Sequence, residues 1–216
     1  MKHDFFKQFM QFLKNEDKPS AVKFALELIE KEEISIEDLY LKLLAPSLTQ
    51  SSCEVKDEAI CIWKEHFRTS IIRTILESCY KYVLSRAEKI EKVNQKIMVL
   101  TPAFEYHEIG AIMNTHFMLM LGLDAHYIGA NTPKIEILSA IRAYQPNYVA
   151  LSVTNPYNLV VTKQTTEDIK RFFPEVGILL GGQAFKDLET TEHIPHDYIL
   201  QTLDDIVMFV KKVSQR

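Results

Sequence analysis

The hydrophobic pattern changes its period near residue 92, and this change constrains the fold more than any other feature of the sequence. Beyond that point, short apolar runs alternate with stretches of helical periodicity. The apolar runs are 96–102, 123–129, 147–154 and 176–182, and the helical stretches are 109–121, 133–144 and about 160–173. Because strands that alternate with helices are typical of βαβ units, we predict a doubly wound parallel sheet over residues 93–216. A weak strand near Tyr198–Leu200 and a helix from Leu203 would complete a five-stranded domain.

Residues 1–92 have a helical period instead. Apolar residues recur there every three or four positions, including Phe5, Phe9 and Leu13. Ser35 with Asp38 three residues later is typical of a helix start. Since each apolar stripe must be buried against another, four antiparallel helices in a small bundle are expected. The predicted fold class is therefore α + α/β, a helical bundle (1–92) followed by a flavodoxin- or Rossmann-like domain (93–216).

Composition excludes several classes of protein. The 216 residues are 47% hydrophobic and 25% charged, which is ordinary for a globular chain, and the net charge of −4 provides no global attraction to nucleic acid. No apolar run approaches the ~20 residues that span a bilayer, and the N-terminus lacks a signal-peptide core. The three cysteines Cys53, Cys61 and Cys79 form no C-x-x-C pair and are interpreted as reduced thiols. We expect a cytoplasmic protein without a membrane or nucleic-acid partner.

A histidine follows the first predicted strand, in the loop TPAFEYHEIG. Ligands of open α/β sheets bind beyond the carboxyl ends of the strands, so His107 is placed to point into the binding crevice. Glu105, two residues earlier, is placed to orient the imidazole as a carboxylate does for a metal-ligating histidine. An exposed polar loop that contains a histidine is the alternative interpretation of the same residues.

The spacing of three short motifs along the chain favours the interpretation of His107 as a metal ligand. The triplet Glu105-x-His107-x-x-Gly110 is followed after 41 residues by Ser152-x-Thr154, and after 26 more by Gly181-Gly182. This three-part pattern resembles the D-x-H-x-x-G, S-x-L, G-G signature of the cobalamin-binding domains of methionine synthase, mutases and corrinoid proteins. The helical half is similar to the cap bundle of the methionine-synthase type, so the resemblance covers nearly the whole chain.

The resemblance implies that the cofactor is cobalamin and assigns roles to residues. His107 matches the lower axial ligand of cobalt, which replaces the cofactor's own dimethylbenzimidazole. Ser152 matches the serine that hydrogen-bonds the displaced nucleotide tail. Gly181 and Gly182 match the glycines that let the tail approach the backbone, and Gly110 lets a helix begin against the ligand. The adenosyl, methyl and hydroxo forms of the cofactor stay open.

The sequence departs from this signature at three positions. Glu105 replaces the usual Asp, Thr154 the usual Leu, and Asn158 a hydroxyl residue that often lies six positions after Ser152. Glu in the first position, and the run Gly129-Ala-Asn-Thr-Pro133, are similar to the CarH-type light-sensing regulators. Those regulators also carry a DNA-binding domain, for which no basic recognition helix stands out in this sequence.

The cap motif W-x9-E-H of those regulators is matched in part. Glu65 and His66 fit its end and are candidates to line the upper face of the cofactor. The position of the motif's Trp is Val55, whereas the chain's single Trp, Trp63, lies about 200° around a helix from Glu65 and is expected in the bundle core.

Other histidines carry weaker signals. His193-x-x-His196 has the spacing of metal ligands but is interpreted as a solvated loop, and His116 and His126 as surface or boundary residues.

Three functions are compatible with these features. The first is a light- or cobalamin-responsive sensor that acts through a protein partner or a homo-oligomer. The second is a corrinoid carrier that shuttles a methyl group between methyltransferases. The third is a flavodoxin-like binding module without cobalamin. None makes the chain an enzyme, because no general acid, base or substrate pocket is evident beyond the cofactor.

Overall fold

Five parallel strands form one sheet in the second half of the computed structural model, which describes residues 5–50, 58–186 and 191–215. The strands are β1 (Val93–Pro102), β2 (Leu123–Thr132), β3 (Tyr148–Ser152), β4 (Gly177–Gly181) and β5 (Tyr198–Ile199). They lie in the order β2-β1-β3-β4-β5, and each neighbouring pair is parallel. The expected five-stranded, doubly wound parallel sheet is confirmed. Its strand order reverses between β1 and β3, which is where ligands bind in such sheets.

Helices flank the sheet and build the N-terminal half. They are α1 (Phe5–Lys14), α2 (Lys18–Glu30), α3 (Ile36–Asp38), α4 (Ala45–Thr49), α5 (Glu58–Ala87), α6 (Ile109–Met120), α7 (Lys134–Tyr144), α8 (Leu159–Phe172) and α9 (Leu203–Val213). The chain divides into two compact units, Met1–Val83 and Leu84–Arg216. The division at residues 92 and 93 that we expected from the change of period stays a prediction.

The sheet core is apolar on both faces. All of β3 is buried, as are the last six residues of β1 and the last four of β4. Burial on both faces explains why these strands have continuous apolar sequences instead of alternating ones. β2 lies at the edge of the sheet, and its first four residues alternate between buried and exposed.

The N-terminal unit is helical, as expected. Asp17 caps α2 through a 3.0 Å hydrogen bond from the Ser20 N–H, and Ser35 caps α3 by accepting from the Asp38 N–H, also at 3.0 Å. Between α3 and α4 the chain continues as a π-helix, Leu39–Leu44, which the apolar spacing did not predict. Four buried side chains of this π-helix, with those of α1 and α5, belong to the core of the unit.

The long helix α5 is buried over only part of its length. Ile71, Ile75 and Cys79 are fully buried, but Trp63 is 51% exposed and stacks on Phe67 with ring centroids 5.8 Å apart. The expectation of Trp63 in the bundle core is therefore wrong. Helical periodicity identifies which residues share a face, whereas burial depends on what lies opposite that face, which the period does not encode.

The cysteines differ from one another. Cys79 is a free, buried thiol whose pKa is raised by burial to about 12. Cys61 is disulfide-bonded, so the interpretation of every cysteine as a reduced thiol is wrong for Cys61. Cys53 lies outside the described residues.

No helix of the described ranges is both long and apolar enough to cross a membrane.

Helix α6 carries a buried histidine. Met113, Met118 and Met120 pack in the interior, and His116 on the same helix is only 4% exposed. The expectation of a surface or boundary position for His116 is wrong. Burial disfavours the charged imidazolium and lowers the pKa of His116 to about 4.

Replacement of His116 by Gln tests this burial. The pKa of His116 lies below the ordinary value of about 6.5, so the unfolded chain binds the proton first as the pH falls. Folding stability is therefore lost between pH ~6.5 and ~4, at up to about 1.4 kcal/mol per pH unit. In His116→Gln this part of the pH dependence should disappear, as measured by urea denaturation at several pH values. His193→Gln, at an exposed histidine, is the control. An unchanged pH dependence in His116→Gln would contradict the assignment.

Candidate functional site

The site is built around a buried carboxylate at the carboxyl edge of the sheet. Glu105 lies in the loop between β1 and α6 and is 0% exposed. Its Oε2 accepts hydrogen bonds from the backbone N–H groups of Thr154 and Asn155, both at 2.9 Å, and from the side-chain amide of Asn158 at 3.1 Å. These three residues follow β3, so Glu105 ties together the two loops on either side of the strand-order reversal.

The other carboxylate oxygen of Glu105 is bonded to His107. Oε1 accepts from the His107 backbone N–H at 3.0 Å and lies 2.5 Å from Nδ1 of the imidazole. Burial of the carboxyl group acts to raise its pKa, but the hydrogen bonds from Asn155, His107 and Asn158 outweigh burial and leave the pKa of Glu105 below its ordinary value. Glu105 is therefore ionised and can only accept.

His107 is consequently held in one tautomer and orientation. Because an ionised carboxylate has no proton to donate, the hydrogen between the two groups belongs to Nδ1. A neutral imidazole then carries its lone pair on Nε2, and the His107 side chain is 59% exposed. This is the arrangement of a metal-ligating histidine whose second nitrogen is bonded to a carboxylate.

The His107 loop is also anchored to the neighbouring β2. The backbone carbonyl of Glu105 accepts from the Thr101 hydroxyl at 2.5 Å and from the Asn131 N–H at 2.9 Å. The Asn131 side chain in turn accepts from the Phe104 N–H at 2.7 Å. The loop after β1 is thus joined by hydrogen bonds to the end of β2 and to the loop after β3.

A narrow cleft lies between α6 and the sheet, in the same unit. Its lining includes Ser152 and Gly181 at the strand ends and otherwise consists mainly of apolar side chains: Val99, Ala111, Met118, Ala150, Leu151, Leu179, Leu180 and Leu200, with Asn114. Ser152 is nearly buried, and its Oγ lies 3.9 Å from where a Cβ on Gly110 would be. The cavity of about 20 Å³ has room for about one water molecule.

Gly181 and Gly182 are required by the protein's own backbone. A Cβ on Gly181 would lie 2.8 Å from the Leu200 carbonyl oxygen. Gly182 has φ +105°, and its Cβ would lie 2.3 Å from the Val153 carbonyl oxygen. Both glycines therefore permit close packing of the strand ends before any ligand is considered. Their role toward a nucleotide tail stays a prediction.

Glu65 and His66 belong to the other unit. Both lie on α5 and are exposed, with His66 Nδ1 3.3 Å from Glu65 Oε2, and Glu65 also accepts from the Thr69 hydroxyl at 2.9 Å. Val55, which occupies the position of the cap-motif Trp, lies outside the described residues. That Glu65 and His66 line the upper face of the cofactor stays a prediction.

His193 and His196 lie in a loop, as the sequence indicated. His193 is exposed, and His196 Nδ1 lies 2.7 Å from the Ile194 carbonyl oxygen. Over the described part of the chain, no three His, Cys, Asp or Glu side chains are grouped so that they could hold a metal ion.

Sequence reasoning missed three asparagines that organise the site. In the sequence, Asn158 stands out only as a departure from the family's hydroxyl, and Asn131 only as part of the run Gly129–Pro133. Asn155 carries no signal, because it binds Glu105 through its backbone N–H, which every residue except proline possesses.

Taken together, the fold and site define a cofactor-binding α/β domain. It presents one histidine, oriented by a carboxylate, at the point where the strand order reverses. Residues 95–207, just over half of the chain, match the family model of the B12 binding domain. The chain belongs to this family, and cobalamin, the cofactor expected from the motif, is confirmed.

Solved structures are similar over almost the whole chain. The monomethylamine corrinoid protein of Methanosarcina barkeri matches with a TM-score of 0.78 at 12% identity, covering 97% of this chain and 98% of that one. A cobalamin-binding protein from Desulfitobacterium hafniense DCB-2 matches with a TM-score of 0.50 at 15% identity, covering 96% and 98%. A chain of the methanol:cobalamin methyltransferase complex MtaBC of M. barkeri matches with a TM-score of 0.51 at 12% identity, covering 100% and 82%.

These structures confirm the combination of a helical cap with a Rossmann-like domain. At such low identity they establish the fold alone. The similarity to CarH-type regulators finds no support in these comparisons, and no curated protein matches the sequence.

Glu105→Gln tests the carboxylate at the centre of the site. An amide has a single acceptor oxygen, and its NH₂ group would face N–H donors that then stay buried without a partner, at about 1–3 kcal/mol each. We expect the variant without cofactor to lose about 3 kcal/mol of unfolding free energy in urea denaturation. Glu167→Gln, at an exposed position of α8, is the matched control and should change stability by less than about 0.5 kcal/mol. Equal stability of the two variants would show that Glu105 does not join the loops.

Proposed function

We propose that this protein carries a methyl group on cobalamin between methyltransferases, and that it holds the cofactor with His107 as the lower ligand of cobalt in place of the cofactor's own base. The observation that carries this proposal is the hydrogen bond between Glu105 and His107 Nδ1, because it leaves Nε2 as the ligand atom at the carboxyl edge of the sheet. Imidazole is a suitable ligand for cobalt among the transition metals.

The displaced nucleotide tail is assigned to the cleft between α6 and the sheet. Ser152 in its lining offers a hydroxyl for hydrogen bonding, and the small residues Ala111 and Ala150 leave room along its walls, with Gly110 next to Ser152. A cavity of about 20 Å³ is far below the roughly 300 Å³ of small-molecule pockets, so admission of the tail requires α6 to separate from the sheet.

Each residue of the site has a defined task in this proposal. Glu105 keeps the proton on Nδ1 and fixes the direction of the imidazole, and Asn158 keeps Glu105 in place by donating to Oε2. Thr154 contributes its backbone N–H to the same oxygen. When bound, cobalamin supplies a metal centre that accepts and releases a methyl group. The chain itself is then a carrier and not an enzyme, and the reactions at each end belong to its partners.

The carrier is favoured over the sensor by the neighbouring structures. One is named a monomethylamine corrinoid protein, and another is a methanol:cobalamin methyltransferase complex. By that analogy, a methyltransferase is the expected partner. The sensor interpretation depended on the similarity of Glu105, Glu65 and His66 to residues of light-sensing regulators. The comparisons support neither photoreception nor regulation.

Reconstitution separates the carrier from the sensor. The protein is loaded with adenosyl-, methyl- or hydroxocobalamin, and absorption spectra and gel-filtration profiles are recorded in darkness and after green light. A carrier should bind tightly and keep its elution volume in every state. A change of elution volume driven by light would support the sensor and overturn the carrier, and failure of all three forms to bind would overturn both.

His107→Ala tests the lower ligand. Without the imidazole, cobalt in the hydroxocobalamin complex must take a different lower ligand, and we expect the visible spectrum to move away from the histidine-ligated form. His126→Ala, at another exposed histidine, should retain the spectrum of the unchanged protein. If His107→Ala also retains it, His107 is not the ligand.

Gly110→Ala tests the tail cleft. The added methyl group would lie 3.9 Å from Ser152 Oγ, an ordinary contact, and alanine favours the helix, so stability without cofactor should be unchanged or up to about 1 kcal/mol higher. The same methyl group would lie next to Ser152, which lines the cleft assigned to the tail. We therefore expect weaker binding of cobalamin but unchanged binding of cobinamide, a corrinoid without the nucleotide tail, in equilibrium dialysis. Equal affinity for cobalamin in both proteins would remove Gly110 from the tail site.

A further inference from the structure

Phe104 has a backbone conformation that is unusual for an aromatic residue. Its φ is +69°, in the left-handed region that glycine adopts freely and that non-glycine residues other than Asn and Asp rarely adopt. Strained backbone of this kind persists where surrounding contacts enforce it, and it is concentrated at binding sites. Phe104 lies in the loop of the proposed cobalt ligand, three residues before His107.

Two asparagine side chains enforce this conformation. The Phe104 N–H donates to Asn131 Oδ1 at 2.7 Å, and Asn158 Nδ2 donates to the Phe104 carbonyl at 3.2 Å. Asn158 also donates to Glu105. The conformation of Phe104 is therefore part of the same hydrogen-bond system that positions His107.

The phenyl ring contributes little to the fold. Phe104 is 70% exposed, so most of its apolar surface stays in water. Glycine would accept the same φ without strain, and the two asparagine contacts involve only backbone atoms of Phe104. The folded chain thus has no evident use for the ring, and any side chain at this position carries the cost of a left-handed backbone, because that cost comes from Cβ.

The surroundings of Phe104 indicate what the ring contacts. Tyr106 and Tyr157 are also largely exposed, and they lie in the two loops that Glu105 joins. We propose that the Phe104 ring is an apolar contact for the corrin ring of the cofactor beside His107 and contributes to corrinoid affinity. This inference rests on the proposed function, because a ligand bound through His107 is what brings a broad, largely apolar ring against this loop.

The experiment compares Phe104→Gly with the unchanged protein. Glycine removes the ring and retains the backbone conformation, so the melting temperature of the protein without cofactor should shift by no more than about 3 °C. The dissociation constants of aquocobinamide and hydroxocobalamin, measured by equilibrium dialysis, should both rise about tenfold, as for loss of one buried aromatic contact. Aquocobinamide lacks the nucleotide tail, so an equal rise for both ligands locates the contact on the corrin ring.

Two further variants complete the test. Gln145→Gly replaces another left-handed residue, φ +51° after α7, and should leave both dissociation constants unchanged. Phe104→Asn places a polar side chain that tolerates the left-handed region and should reproduce the loss of affinity. Unchanged affinity in Phe104→Gly, or a loss for hydroxocobalamin alone, overturns the inference. Failure of the unchanged protein to bind either ligand overturns the proposed function instead.

Discussion

The site depends on the hydrogen bonds that the ionised carboxylate of Glu105 accepts. A buried charge is costly unless its hydrogen-bonding capacity is filled, and here both oxygens are occupied by donors from His107 and from the loop after β3. The arrangement has two consequences. The loops beyond β1 and β3 are held to each other, and the imidazole of His107 is held in one tautomer and orientation.

Glu105 and Asn158 are two of the positions at which the sequence departs from the expected signature, and the two side chains meet in this chain. One carboxylate oxygen of Glu105 accepts from the backbone of Thr154 and Asn155, while the other is hydrogen-bonded to His107, two residues away. Asn158 suits the same carboxylate, since its NH₂ group donates to Glu105 and to the Phe104 carbonyl together. The departures at positions 105 and 158 are therefore complementary and produce one hydrogen-bond network.

Local sequence patterns predicted most of the helices and strands, but they predicted less well which side chains are buried. The strand and helix bounds of the second half agree closely with the apolar runs, because continuous apolar segments and helical stripes directly reflect the period of the backbone. The same stripes misplaced Trp63, which is exposed, and side-chain polarity misplaced His116, which is buried. In both cases the deciding factor is what packs against the helix, and this is absent from the helix's own sequence.

By itself, the sequence determined the alternation of strands and helices, the spacing of Glu105, His107 and Gly110, and with them the family and its cofactor. Only the tertiary structure decided which groups meet the carboxylate, since Thr154, Asn155 and Asn158 lie about fifty residues further along the chain. It also decided that Gly181 and Gly182 are needed by the backbone of Leu200 and Val153. The physical reason is that spacing along a chain specifies elements and short motifs, whereas contacts between loops follow from the order of strands in the sheet.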